Sequence, residues 1–251
     1  MTTRRSVWVG FVLAVLSIGT AFAQTAGPAR TVFLNPFGGT YYPGGSDDPA
    51  TNQSILVTSR STVPPFSGTD EQWKFLVDSV RARYAPFGVS IVDVEPPPTE
   101  HYIEAVVGGL PGDIGLPSGI SGIAAIACQP QTKAIVFIFS EAFGDDLETL
   151  AVDIDHEVGH AFTLDHEIRC KDPMTYLGGC REKVFQNQTA NCGEFSARPC
   201  YCGGTTQDSF EKLRSVLGSH DGTIKPTPQP QGSAADTAPV AICATPLLTS
   251  N

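Results

Sequence analysis

The chain has 251 residues, 41% of them hydrophobic, which suffices for one substantial core, while 25 glycines and 20 prolines predict many loops. With 16 basic against 26 acidic side chains the formal net charge is −10. An acidic chain without a basic cluster argues against nucleic acid and anionic membrane surfaces as partners.

Residues 1–23 read as a secretory signal peptide. Arg4 and Arg5 supply the charged start, Val7 to Ile18 is an apolar run, and Ala21-Phe22-Ala23 is a small-x-small cleavage site before Gln24. The apolar run is short for a span of about 20 residues. Cleavage near Ala23 is therefore expected, with release outside the cell or into the periplasm and no stable membrane association afterwards. Losing two arginines takes the net charge from −10 to −12.

Arg30 to Leu34 reads as a first strand, followed by turn-formers that include Pro36, Gly38, Gly39, Gly44 and Gly45. Asp47-Asp48 could be read as a calcium site, but a solvated loop is the simpler expectation. Ser54 to Val57 predicts another short strand. The region after Gln24 leaves little room for an inhibitory prosegment. Thr69 to Tyr84 predicts a helix, with Thr69 and Gln72 as a capping box and Trp73, Leu76, Val77, Val80 and Tyr84 at helical spacing. Val89 to Val94 and Tyr102 to Val107 predict strands. Gly119 to Cys128 and Lys133 to Ser140 predict two more, the latter almost continuously apolar, as in a strand covered on both faces. His101 reads as a surface residue.

Asp145 to Thr163 predicts a helix with an acidic first turn that complements its dipole. Leu147, Leu150, Ala151, Ile154, Val158, Ala161 and Phe162 would bury one side; Asp153 and Asp155 could be partners that orient the histidines, but solvated positions are the simpler expectation. Three of the chain's five histidines, His156, His160 and His166, fall near its end, and Glu157 follows the first. Residues four apart share a helical face, so His156 and His160 can aim two nitrogens at one metal ion. Glu157 is rotated by about 100°, which places it beside the ligands rather than among them, where it can act as a general base on water. His166 lies too far along for the same face, so the chain must turn near Thr163 to bring it back.

The pattern His156-Glu157-x-x-His160-x-x-Thr163-x-x-His166, followed by Asp172-Pro173-Met174-Thr175-Tyr176, resembles the metzincin zinc endopeptidases, with threonine where that family has glycine. A β-branched residue enters a left-handed turn only at a cost on the order of 1–2 kcal/mol. The resemblance implies a metzincin-like zincin α/β fold: a twisted mixed sheet, an active-site helix, a C-terminal helix and a Cys-rich loop in the lower subdomain, over residues 24–218. It implies Zn2+ held by His156, His160 and His166, Glu157 as catalytic base, Tyr176 near the metal or the developing oxyanion, and Met174 as an apolar floor. The implied activity is secreted, zinc-dependent endopeptidase cleavage by a metal-activated water. The alternatives are a weak or inactive zinc-binding module that grips extended peptides and, further off, a disulfide-stapled structural protein without metal. The partner expected is a protein or peptide in extended conformation, and the enzyme is expected to be a monomer. By the same resemblance the segment around Ile120–Ile126 would be the edge strand that pairs with substrate.

Seven cysteines remain after the leader, and in an exported chain they read as disulfides. Cys170 and Cys180 bracket Met174 and could pin its turn. A second zinc site at Cys192, Cys200 and Cys202 has unsuitable spacing, and Cys243 is the expected odd thiol. Asp208 to Leu217 predicts a final helix stopped by Gly218. Residues 219–251, rich in Pro, Thr, Gln, Ser and Ala, read as a disordered tail that includes an uninvolved His220.

Overall fold

The computed structural model describes residues 30–226 and 240–247. The expected signal peptide, 1–23, lies outside them. In chain order the elements are β1 (Thr31–Asn35), β2 (Gly39–Pro43), β3 (Gln53–Ser54), β4 (Ser61–Val63), α1 (Asp70–Tyr84), β5 (Ser90–Val92), β6 (Ile103–Val107), β7 (Ile120–Ile126), β8 (Ala134–Ile138), α2 (Leu147–Ala161), β9 (Ala190–Asn191), β10 (Thr206–Gln207), α3 (Ser209–Leu217) and β11 (Ala241–Pro246). The class is mixed α/β.

The main sheet has six strands in the order β11-β7-β8-β6-β1-β5. From β5 to β8 neighbours run parallel, whereas β7 runs antiparallel to β8 and β11 antiparallel to β7. Strand periodicity divides the apolar side chains between two faces. On β8, Ala134, Val136 and Ile138 join the cluster that holds α1 and α2, while Ile135 and Phe137 join a second cluster with Tyr41, Leu56, Val57 and Val63. A strand covered on both faces accounts for the nearly unbroken apolar run.

Helix α1 begins at the expected capping box: Thr69 Oγ1 accepts from Gln72 N, and Gln72 Oε1 accepts from Thr69 N. Its buried stripe of Leu76, Val77, Val80 and Tyr84 packs in the cluster shared with Leu150, Ala151, Ile154 and Val158 of α2. Three departures from the sequence reading have local causes. The strand expected at Ser54 to Val57 stops at Ser54, because Asp47 Oδ1 accepts from Ile55 N at 2.9 Å and turns the chain so that Leu56 and Val57 enter the second cluster. Asp47 is buried rather than solvated, accepting also from Ile135 N at 3.0 Å, and Asp48 pairs with Lys133 at 2.8 Å. Finally, residues 241–246 of the supposed tail form β11 on the sheet; small side chains hid a segment whose backbone hydrogen bonds do the pairing.

Three disulfides, Cys128–Cys202, Cys170–Cys180 and Cys192–Cys200, tie down the loop-rich region after α2 and leave Cys243 as the unpaired thiol. The pairings remove Cys192, Cys200 and Cys202 from any metal site, and they point to an oxidising compartment. Among the described residues no helix is long and apolar enough to cross a membrane.

Leu76 is fully buried where α1 meets the sheet. Leu76→Ala is expected to cost about 2–5 kcal/mol, read as a lowered urea midpoint with an unchanged slope.

Candidate metal centre

Helix α2 is capped by Asp146, which accepts from Thr149 N at 3.1 Å, and it is buried on nearly every side through its last three turns. Asp153 and Asp155, expected in solvent, are 6% and 0% exposed. Asp155 lies against Arg83 at 3.2 Å, and Asp153 lies within 3.1 Å of the Ser121 hydroxyl. One stripe of apolar residues had suggested a half-exposed helix. The sheet, α1 and the loop after α2 between them cover the rest.

The helix ends in a Schellman motif. Leu164 N donates to Gly159 O at 3.0 Å and Thr163 N to His160 O at 2.9 Å, with Thr163 left-handed at φ 75°. Threonine therefore occupies the position at which glycine is preferred, and the turn keeps its form. Gly159 is required for another reason: a Cβ there would stand 2.6 Å from Met174 Sδ and 3.2 Å from Leu164 Cδ1. Met174 is thus fully buried against the helix, one residue before His160.

The turn returns His166 to the other two histidines. His160 Nε2 stands 3.0 Å from His156 Nε2 and 3.1 Å from His166 Nε2. Each opposite nitrogen is held by an acceptor. His156 Nδ1 meets Pro173 O at 2.8 Å, His160 Nδ1 meets Leu164 O at 2.8 Å, and His166 Nδ1 meets Glu194 Oε1 at 2.7 Å. A carbonyl or carboxylate oxygen accepts only, so in all three rings the proton sits on Nδ1 and Nε2 presents a lone pair. Burial lowers all three imidazoles, His160 to about 3, which keeps them neutral.

Three lone pairs aimed at one another repel unless a cation lies between them. Nitrogens bound to one tetrahedral ion at about 2.0–2.1 Å would stand roughly 3.3 Å apart, close to the spacing here. The donor set therefore fits a divalent metal ion, and these three residues can hold one. His101 and His220 are not part of the cluster.

The acceptors are themselves positioned. Asp172, fully buried, accepts from Met174 N at 2.9 Å and Gln186 N at 2.8 Å, and this fixes the turn that offers Pro173 O. Glu194 and Arg198 were not legible as site residues. They lie in an aperiodic loop closed by Cys192–Cys200, and only the fold places them beside His166. Arg198 forks onto Asp165 (2.9 and 2.7 Å) and reaches Glu194 Oε1 at 2.7 Å. Arg198 and then His166 hold the Glu194 carboxyl down at about 2, so it stays an ionised acceptor. Burial pushes Asp165 up, but Arg198 and the amides of Tyr201 and His166 outweigh it and bring it to about 2.

Glu157 is fully buried. Its Oε1 accepts from Thr245 Oγ1 at 2.5 Å, while Oε2 has no hydrogen-bond partner. Burial, and then the Asp153 carboxylate one turn earlier, push the Glu157 carboxyl well above its usual range. Gly122 on β7 makes the room: a Cβ there would stand 2.5 Å from Glu157 Oε1 and 2.8 Å from Asp153 Oδ2. The Tyr176 ring centroid lies 4.3 Å from that of His166 and 5.7 Å from that of His156, and its hydroxyl donates to Ala244 O at 2.9 Å. Comparisons with protein-family models and with curated proteins find no match for this chain.

Glu194→Ala frees the His166 ring, and zinc affinity is expected to fall about 10–100-fold in competition with a chromogenic chelator. Thr163→Gly is expected to add about 0.5–1 kcal/mol of stability by relieving the left-handed β-branched residue, measured as a higher urea midpoint.

Proposed function

We propose that the chain is an exported zinc endopeptidase of metzincin type. The observation that carries this reading is the convergence of three Nδ1-protonated imidazoles, their Nε2 atoms 3.0 and 3.1 Å apart, directly beside a buried glutamate with one free oxygen. Imidazole nitrogens and tetrahedral convergence favour zinc over the hard, oxygen-seeking cations. The α/β arrangement, with a mixed sheet over α2 and with Met174 and Tyr176 in the turn below, supports the metzincin-like fold.

When bound, zinc supplies Lewis acidity towards a carbonyl and acidifies water to about pKa 7. The protein's own groups account for the remaining steps. His156, His160 and His166 are kept neutral and oriented by Pro173, Leu164 and Glu194, so no ligand must reorganise before turnover. Glu157, through Oε2, takes a proton from water in the cleft and returns it to the leaving amine. Tyr176 Oη already donates to a main-chain carbonyl, that of Ala244, and the same donor can stabilise the oxygen of a scissile carbonyl. An extended substrate would pair with the edge of β7 that β11 occupies. The disulfides agree with export, and the apolar leader of residues 1–23 supplies the route.

Glu157→Gln keeps the size of the side chain and removes its basicity. Bound zinc is expected to stay at the wild-type level, while casein hydrolysis at saturating substrate falls roughly 10²–10⁴-fold. Undiminished turnover in a zinc-loaded variant would remove Glu157 from the mechanism.

A further inference from the structure

The sequence-based reading leaves β7 as an exposed edge for substrate, yet the three histidines are at most 3% exposed and Glu157 is 0% exposed. What closes the cleft is β11. It lies antiparallel on β7 in the register Ala241↔Ile126, Cys243↔Ala124 and Thr245↔Gly122, with an irregularity between Thr245 and Pro246 where Ser121 is passed over. Beyond it Leu247 N donates to Gly119 O at 2.8 Å.

We infer that the groove along β7 is an extended-peptide site whose resident partner is the chain's own segment 241–246, seated as a substrate would be and blocking the catalytic groups. The inference takes this groove as the substrate cleft, and so rests on the peptidase reading.

Tyr176, Glu157 and Ser121, which line the cleft, each contact β11. Tyr176 Oη spends its proton on Ala244 O at 2.9 Å. Thr245 Oγ1 donates to Glu157 Oε1. The Ser121 hydroxyl lies within 3.2 Å of Thr245 O. The side chains also fit a narrow groove. Alternate residues of a strand share a face, so Cys243 and Thr245 look the same way, opposite Ala124 and Gly122. Thr245 is buried against Glu157, and opposite it on β7 even a Cβ on Gly122 would stand 2.5 Å from Glu157 Oε1. Ile242 and Ala244 face outward and are exposed. A strand held by main-chain bonds and three hydroxyl contacts, with an apolar side chain left in water, is built to leave more easily than a core strand. This places control of the site in residues 241–246.

Cys243 reports the strand's position in the full-length protein, because it is the unpaired thiol and sits partly buried on β11 itself, opposite Ala124 of β7. In the wild type its reaction with a disulfide-exchange reagent is expected to run at least about tenfold slower than in guanidinium. Thr245→Trp has no room beside Glu157, so it should expel the strand. Its Cys243 should label at least about tenfold faster, and the full-length variant should bind a fluorescein-labelled peptide of residues 240–247 that the wild type ignores. Casein hydrolysis by the zinc-loaded variant should exceed the wild type's. Unprotected Cys243 in the wild type, unchanged labelling in Thr245→Trp, or fast labelling without peptide binding would each overturn the inference. A variant that binds the peptide but leaves casein intact supports the strand's role and refutes the peptidase reading alone.

Discussion

The site depends on the hydrogen bonds made by three histidine nitrogens that face away from it. Pro173 O, Leu164 O and Glu194 Oε1 hold the Nδ1 protons and so decide that every Nε2 lone pair points inward. Remove an acceptor and the ring can turn over or change tautomer, and the convergence is lost although all three imidazoles remain. Much of the surrounding structure serves those acceptors. The Schellman turn delivers Leu164 O, the Asp172 clasp on Met174 N and Gln186 N delivers Pro173 O, and the Arg198 fork delivers Glu194.

The sequence made part of this legible and concealed the rest for physical reasons. Helical spacing ties residues 156 and 160 together, so two of the converging imidazoles and the neighbouring glutamate could be placed from local geometry alone. His166 needed the inference of a turn, and Thr163 adopts that turn at φ 75° despite its branched side chain. The Cys170–Cys180 bridge was one pairing among the many that the sequence left open, and the fold selects it. Glu194 and Arg198, by contrast, sit in a loop with no periodic signal, and they reach the site only because disulfides and the Asp165 contact fold that loop back. The fold divides in the same way. The alternating and fully apolar strands and the capped helix α1 announce themselves, and their positions fall within a few residues of the expected ones. Strand β11 does not, since Ala-Ile-Cys-Ala-Thr-Pro has neither length nor alternation to mark it, and it pairs because β7 presents an unpaired edge.

Burial of Asp153 and Asp155 follows from the same difference between local and global information. A hydrophobic stripe describes one face of a helix, whereas the number of elements packed around it determines how many faces lose water. Helix α2 is covered by β6, β7 and β8, by α1 and by the disulfide-bound loop, so its acids must find partners indoors. For Asp155 that partner is Arg83, which approaches from α1. For Asp153 it is a hydroxyl, and the nearest second carboxylate is Glu157 itself.

That last pairing bears on what a cation held by the three histidines would do. Two carboxylates four residues apart on a buried helix face, with unpaired oxygens at Asp153 Oδ2 and Glu157 Oε2, would both pay for desolvation and repel if ionised. Burial pushes Asp153 up to about 7 and, together with Asp153, holds Glu157 high as well. Neighbouring imidazoles kept neutral at Nδ1 supply no positive charge to offset this. A divalent ion among the three Nε2 atoms would supply it and favour the ionised form of Glu157. The lone pairs that repel one another and the carboxylates that resist ionisation are therefore two parts of one electrostatic deficit, and a single bound cation answers both.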